Sequence, residues 1–427
     1  MNIDRNIEPA IRVPESVSVL FPKPSAAANG VKLYAIEAGE QEVIRLSLVF
    51  RAGTRFQPRP FVASATVNML AEGTEKYSAL EISEKTDFYG AYFDVSVDRD
   101  YAVVSLCCLT KFLPEMLDVL EQMVVHPVFP ETELDIYKNK RKHHLQIERE
   151  KVSFRARELF GEALYGKGHP YGAYYATEEY DSLKSSQLKT FFKTYYHAGN
   201  CFAVSSGRAS EADLALITGF LGRLPGGGAV SFTDLPEVKS LFHVTEERAE
   251  AVQSAIRIGK VLFPRTHPDF IGMQVLLMVL GGYFGSRLMS NLREERGYTY
   301  GVFATMVNLE SSGYLAVGTE VGAEVTEDAV RQVFHEIARL RNETIGEDEL
   351  AMVKNMITGE FMRILDGPFG IADVTIENIQ NETDNEYVGR YLKEVREITP
   401  QRLKALAEKY LTEEGFVTVV VGRESKD

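Results

Sequence analysis

Residues 131–140 read ETELDIYKNK, and residues 347–356 read EDELAMVKNM. Glu131, Glu133, Leu134, Lys138 and Asn139 return as Glu347, Glu349, Leu350, Lys354 and Asn355, each 216 positions later (347 − 131). The stretch before each block repeats as well. Leu113, Met116, Leu117, Leu120 and Met123 correspond to Val330, Val333, Phe334, Ile337 and Leu340 at 217 (330 − 113), an apolar pattern with helical period. Beyond them, Leu188-Lys189, Tyr195 and Gly207-Arg208 return as Leu403-Lys404, Tyr410 and Gly422-Arg423 at 215 (403 − 188). Five matched letters alone carry little. Three blocks in one order, at nearly one offset, mark an internal duplication.

Each copy is expected to be an α+β domain. Val31 to Glu37 and Glu42 to Arg51 read as strands, and Phe61 to Ala71 as a helix stopped at Glu72-Gly73. A second helix, Leu80 to Tyr89, stops at Gly90. Phe93, Val95 and Val97 then alternate with polar residues as a half-buried strand, and Tyr101 to Leu109 pairs with it. A long helical stretch runs from Glu131 into the 160s, followed by a helix over Ser185 to Tyr196 and a strand over Cys201 to Ser206. Residues 1–30, with Pro9, Pro14, Pro22 and Pro24, read as an extended arm. LPGGGAVSFTDLPEV, residues 224–238, is rich in Gly and Pro and has no helical period. The expected division is an N-terminal domain over 1–223, a linker over 224–239 and a C-terminal domain over 240–427. Each domain is expected to be a mostly antiparallel sheet with helices packed on one face.

The totals exclude several classes of function. A chain of 427 residues with 45% hydrophobic and 25% charged residues is an ordinary globular composition. Its 47 basic and 61 acidic residues leave a net charge of −14, which disfavours nucleic acid and anionic membranes as partners. Cys107, Cys108 and Cys201 form neither a disulfide framework nor a zinc-knuckle spacing. The first residues, MNIDRNIEPAIRVPESV, lack a signal-peptide core, and no run approaches membrane-spanning length. A cytoplasmic location is the expectation.

A second informative stretch is GGYFGSRLMSNLREERGYTYG, residues 281–301. It reads as a turn at Gly281, Gly282 and Gly285, a helix over Arg287 to Arg296 capped by Ser286, a stop at Gly297, and a strand through Tyr298, Tyr300 and Val302. The turn aims Arg293 and Tyr300 at one point. A guanidinium fork and a phenol suit peptide carbonyls or a developing oxyanion. The same residues also read structurally, with Arg293 capping the last helical carbonyls and the tyrosines packing a strand.

Taken in order, GVKLYAIEAG, LSLVFRAGTRF, the helix FVASATVNMLAEGT, HPYG (His169 to Gly172) and LREERGYTYG resemble the pitrilysin/insulinase-like zinc metallopeptidase family over residues 20–427. In active members of that family the helix carries H-x-x-E-H. Two His bind zinc, the Glu acts on the bound water, and a later Glu completes the site. Aligned on Gly73-Thr74, the two His positions hold Ser64 and Asn68, and the Glu position holds Val67. The later Glu falls within Lys142 to Glu150, closest to Ile147, with Glu148 and Glu150 nearby. None of the remaining His supplies the motif. His126 and His169 each precede Pro and shape turns. His144 and Glu148 have i, i+4 spacing, on a face also carrying Lys140, Arg141, Lys142 and Arg149 that reads as solvated. Nothing near Ser64 supplies a base for a serine nucleophile.

The second half keeps the family's Arg and, seven residues on, its Tyr, at Arg293 and Tyr300. The resemblance therefore implies a chain with no zinc of its own. It would pair with a homologous zinc-bearing chain as a heterodimer, close a chamber, and bring Arg293, Tyr300, Gly281 and Gly282 to a peptide at the partner's zinc. The alternatives are a structural or assembly subunit and a peptide-binding homodimer.

Overall fold

The computed structural model describes residues 21–228, 230, 234–384 and 386–423. Most of the expected arm, and residues 229 and 231–233 of the expected linker, lie outside them.

The first half runs β1 (Pro24–Ala26), β2 (Lys32–Glu37), β3 (Val43–Phe50), α1 (Val62–Asn68), α2 (Ala79–Phe88), β4 (Tyr92–Val97), β5 (Ala102–Leu109), α3 (Leu113–Val125), α4 (Glu131–Glu150), α5 (Val152–Tyr165), α6 (Ser185–Tyr195), β6 (Cys201–Gly207) and α7 (Glu211–Leu221). The second runs β7 (His243–Glu247), β8 (Gln253–Leu262), α8 (Phe270–Leu277), β9 (Val302–Leu309), β10 (Ser312–Gly322), α9 (Thr326–Asn342), α10 (Glu347–Ile364), α11 (Pro368–Gln380), α12 (Tyr387–Glu397), α13 (Pro400–Tyr410) and β11 (Val417–Gly422). Two π-helical segments, Met278–Gly282 and Met289–Glu295, sit between α8 and β9.

The duplication appears directly in the strand order. The first sheet reads β1-β2-β6-β3-β5-β4 and the second β7-β11-β8-β10-β9. Without β1 the two orders are the same, and in each only the β2–β6 or β7–β11 pair is parallel. The matched sequence blocks land on α3 and α9, α4 and α10, α6 and α13, and β6 and β11. This is a two-domain α+β fold.

Alternation places the cores. In β3, Ile44, Leu46, Leu48 and Phe50 point into a core shared with α1, α3, α6 and α7. In the second sheet, Ile256, Ile258, Leu315 and Val317 meet α8, α9, α10, α12 and α13. The opposite faces are partly covered by an exchange of helices. From the first half, α5 lays Ala156, Leu159, Phe160 and Ala163 on Ala255, Val417, Val419 and Val421 of the second sheet. From the second half, α11 lays Ala372, Ile371 and Ile376 on Ile36 and Val204 of the first. Gly259 permits the first contact, because a Cβ there would lie 2.5 Å from Cζ of Phe160. Apart from α5 and α11, each domain's helices therefore lie on one face of its own sheet, and these two cross to the other face of the neighbour's.

A polar network locks the tip of the β9–β10 hairpin to the first half. Arg55 lies 3.0 Å from Asp100, with both side chains almost fully buried. Tyr171 of HPYG donates to Asp100 Oδ1 (2.9 Å) and accepts from Arg55 (2.6 Å). From the hairpin, the Glu310 N–H donates to Asp100 Oδ2 (3.0 Å), and the Glu310 carboxylate takes Arg51 Nε (2.9 Å). His169 stacks on Tyr165 with ring centroids 4.9 Å apart and accepts the Tyr171 N–H at Nδ1 (3.1 Å). Burial pushes the Tyr171 phenol up to about 12, so it stays a donor.

Three local expectations are corrected. The long helix breaks at Lys151 (φ −76, ψ 123) into α4 and α5, with neither Gly nor Pro at the break. Ser286 makes no cap, and its buried Oγ has no hydrogen-bond partner among the described residues. Tyr300 precedes the strand, which starts at Val302. Among the described residues, no helix is long and apolar enough to cross a membrane.

Candidate functional site

The degenerate motif lies on α1. Its chain enters through Phe61, held at φ 64 by a stack on Tyr180 with centroids 3.9 Å apart. Ser64 Oγ donates to the Phe61 carbonyl (3.1 Å). Val67 is fully buried in the first core. Asn68 Nδ2 donates to the Ser64 carbonyl (2.7 Å), and its Oδ1 accepts Arg141 Nη2 (2.8 Å). The Arg141 guanidinium lies 5.4 Å from the Tyr137 ring centroid. The polar groups at these half-buried positions are thus engaged locally.

These residues do not fit zinc. A hydroxyl, a methyl-bearing side chain and an amide replace imidazole, carboxylate and imidazole. A permanent guanidinium charge sits against Asn68, where a second cation would be repelled. No group of three His, Cys, Asp or Glu among the described residues is placed to hold a metal ion.

Arg141 lies one residue before the window expected to hold the later acid. Within that window Ile147 is 51% exposed, and Glu148 takes Lys151 Nζ (2.6 Å). His144 is exposed and borders, with Arg141 and Asn68, an open cavity beside α4. The clue to Arg141 is the spacing Tyr137, Arg141, Leu145, one residue every helical turn facing α1.

The second stretch is arranged differently. The π-helical segment ends at Gly297, whose φ of 66 is left-handed, and the Tyr298 N–H donates back to the Leu292 carbonyl (2.8 Å). Arg293 lies over the Phe284 ring, 4.3 Å from its centroid, with no carboxylate at ion-pair distance among the described residues. Thr299 Oγ1 accepts the Gly301 N–H (3.1 Å) and is itself held by Thr319 of β10 (3.0 Å). Tyr300 projects from this pinned turn with 94% of its surface exposed. Its neighbour Tyr298 is spent on Asp328 (2.9 Å). Gly281 has a packing role, since a Cβ there would lie 2.6 Å from the Ala304 N of β9. Gly282 is similarly close-packed, 2.6 Å from the Met278 sulfur by the same construction. None of the cavities bordered by Ser64 or Asn68 is lined by Arg293 or Tyr300.

A duplicated α+β fold, with Ser64, Val67 and Asn68 on the helix where the metal motif would stand and an Arg/Tyr segment in the second copy, defines a metallopeptidase relative that lacks the H-x-x-E-H motif. Two family models match the chain: "Insulinase (Peptidase family M16)" over residues 34–169 and "Peptidase M16 inactive domain" over residues 182–357. The chain belongs to this M16 family, as a non-catalytic member. It is 24% identical over 400 residues to "Uncharacterized zinc protease YmxG" of Bacillus subtilis, covering 92% of this chain and 96% of the relative. It is 23% identical over 283 residues to "Non-peptidase homolog YmxG" of Helicobacter pylori, covering 63% and 64%. A solved peptidase M16 inactive domain from Pseudomonas fluorescens superposes with a TM-score of 0.87 at 26% identity, covering 95% of this chain and all of that one.

Proposed function

We propose that the chain is the zinc-free subunit of a two-chain peptidase. It closes a chamber against a homologous chain bearing H-x-x-E-H, and offers Arg293 and Tyr300 to the peptide held at that partner's zinc. In this reading residues 1–223 and 240–427 are the two domains of one half of the clamshell, joined by 224–239. The observation that carries it is the exposed Tyr300 on a pinned turn. Its phenol is left unspent while Tyr298, two residues away, is consumed by Asp328. A guanidinium and a phenol stabilise a growing oxyanion without a metal of their own. The partner's zinc would supply the activated water, and this chain's groups would bind and orient the carbonyl.

The test is a peptidase assay on this chain alone, on an H-x-x-E-H homologue alone, and on the mixture. The reading expects turnover in the mixture above that of either chain. A mixture no faster than its zinc-bearing member leaves this chain as an assembly subunit or a peptide-binding homodimer.

A further inference from the structure

Two cavities meet between the halves. The smaller, about 360 Å³, starts at Ser64 and is walled by aromatic rings, among them Phe61, Phe160, Tyr174 and Tyr314. The larger, about 670 Å³, runs between the β4–β5 turn, the β9–β10 hairpin and the end of α11. They share a border formed by Thr54, Arg99, Arg157, Leu309 and Tyr314.

The five shared residues include two guanidinium groups and no carboxylate, although the chain's net charge is negative. Four carboxylates line the two cavities, and each is already engaged. Asp100 and Glu310 belong to the Arg55 network. Glu158 is clamped by Arg149 (2.8 Å) and Arg155 (3.2 Å). Asp98 Oδ1 accepts the N–H groups of Asp100 and Tyr101, both at 2.7 Å. Arg99 has only the Ala173 carbonyl (3.4 Å), and Arg157 only the Phe154 ring, 4.8 Å from its guanidinium carbon. Neither has a carboxylate at ion-pair distance among the described residues. Both act electrostatically on the phenol of Tyr314, itself part of the aromatic wall.

Two guanidinium groups without a direct ion pair, although Asp98 and Asp100 act on Arg99 and Glu148 on Arg157 at longer range, stand beside an aromatic cavity of side-chain size and suit an anion with an apolar group attached close by. We propose that this cleft binds a peptide by its free C-terminus, with Arg99 and Arg157 holding the carboxylate and the aromatic cavity taking the last side chain. An internal Asp or Glu meets the first demand only, because its own side chain is the anion. The proposal rests on the reading that the chain handles peptides, but needs neither a zinc-bearing partner nor Arg293 and Tyr300.

The experiment is fluorescence anisotropy on the full chain alone. The probes are N-terminally labelled eight-residue peptides ending in Gly-Phe as the free acid, in Gly-Phe amide, in Gly-Gly acid, and in Gly-Phe amide with an internal Glu. The Gly-Phe acid is expected to bind at least ~10-fold more tightly than its amide, the scale of one charge-assisted hydrogen bond. It is also expected to outbind the Gly-Gly acid and the internal-Glu amide. Arg99→Gln with Arg157→Gln should bring acid and amide together while leaving the melting temperature unchanged. Equal binding of acid and amide, an unchanged preference in the double variant, or no binding of any peptide at millimolar concentration each overturns the proposal. None of these results bears on turnover in the two-chain assay, so the two readings fail separately.

Discussion

The first half's α1–α4 contact and the second half's Met289–Tyr300 segment make opposite use of their polar groups. On α1, Ser64 and Asn68 are turned onto the helix's own carbonyls, and Arg141 closes on Asn68. After Glu295, a left-handed glycine and a threonine clasp hold the backbone, and the Tyr300 phenol is left in solvent. One region has had its chemistry converted into structure, while the other spends structure on keeping a side chain available. On the proposed reading, the difference teaches where function would remain in a family member that lacks the metal motif.

If that contrast is right, substitutions should be costly where groups are consumed and nearly silent where they are exposed. The largest loss is expected at Arg55, whose removal strands Asp100 in a buried site. Arg55→Ala should cost about 3–5 kcal/mol, read as a lower midpoint in urea unfolding. A loss near zero would mean the hairpin lock does not hold the halves together. Gly281→Ala should cost about 1–3 kcal/mol, because the added methyl meets the β9 backbone and cannot be accommodated by a side-chain shift. A stable Gly281→Ala protein would return that glycine to the list of substrate contacts.

The α1 site can be tested by trying to reverse it. With Ser64→His, Val67→Glu and Asn68→His in place, zinc affinity by competition with a chelating dye should rise at least ~10-fold when Arg141→Ala is added, because a fixed positive charge leaves the site. No change on that addition would show that Arg141 does not guard the position. The smallest effect is expected at Tyr300, where Tyr300→Phe should shift stability by less than about 0.5 kcal/mol. A larger shift would make the tyrosine part of the fold.

Much of the fold could be read in the letters, because a duplication preserves apolar faces and turn residues at matched spacing. Glu131 to Asn139 and Glu347 to Asn355 open equivalent helices in equivalent places. The exchange of α5 and α11 could not be read, since a stripe such as Ala156, Leu159, Phe160 and Ala163 says that a helix is buried and not against which sheet. The break at Lys151 has no residue signal, and the π-helical turns share the composition of ordinary ones. At the site, Ser64, Val67 and Asn68 as the motif positions came from the family resemblance, aligned on Gly73-Thr74. For Arg141 the Tyr137, Arg141, Leu145 spacing marks one face of α4, but that this face meets Asn68 depends on how α1 and α4 cross. Tyr300 read as a strand residue from its alternation with Tyr298 and Val302, yet the Thr299 clasp keeps it two residues outside the ladder.

The composite site is tested most directly by turnover of the reconstituted two-chain peptidase carrying Arg293→Ala or Tyr300→Phe in this chain, measured per folded complex. The account predicts stable variants, an assembled complex and turnover lower by about 10²–10³, the usual cost of removing one oxyanion donor. Full turnover with both residues replaced would contradict it.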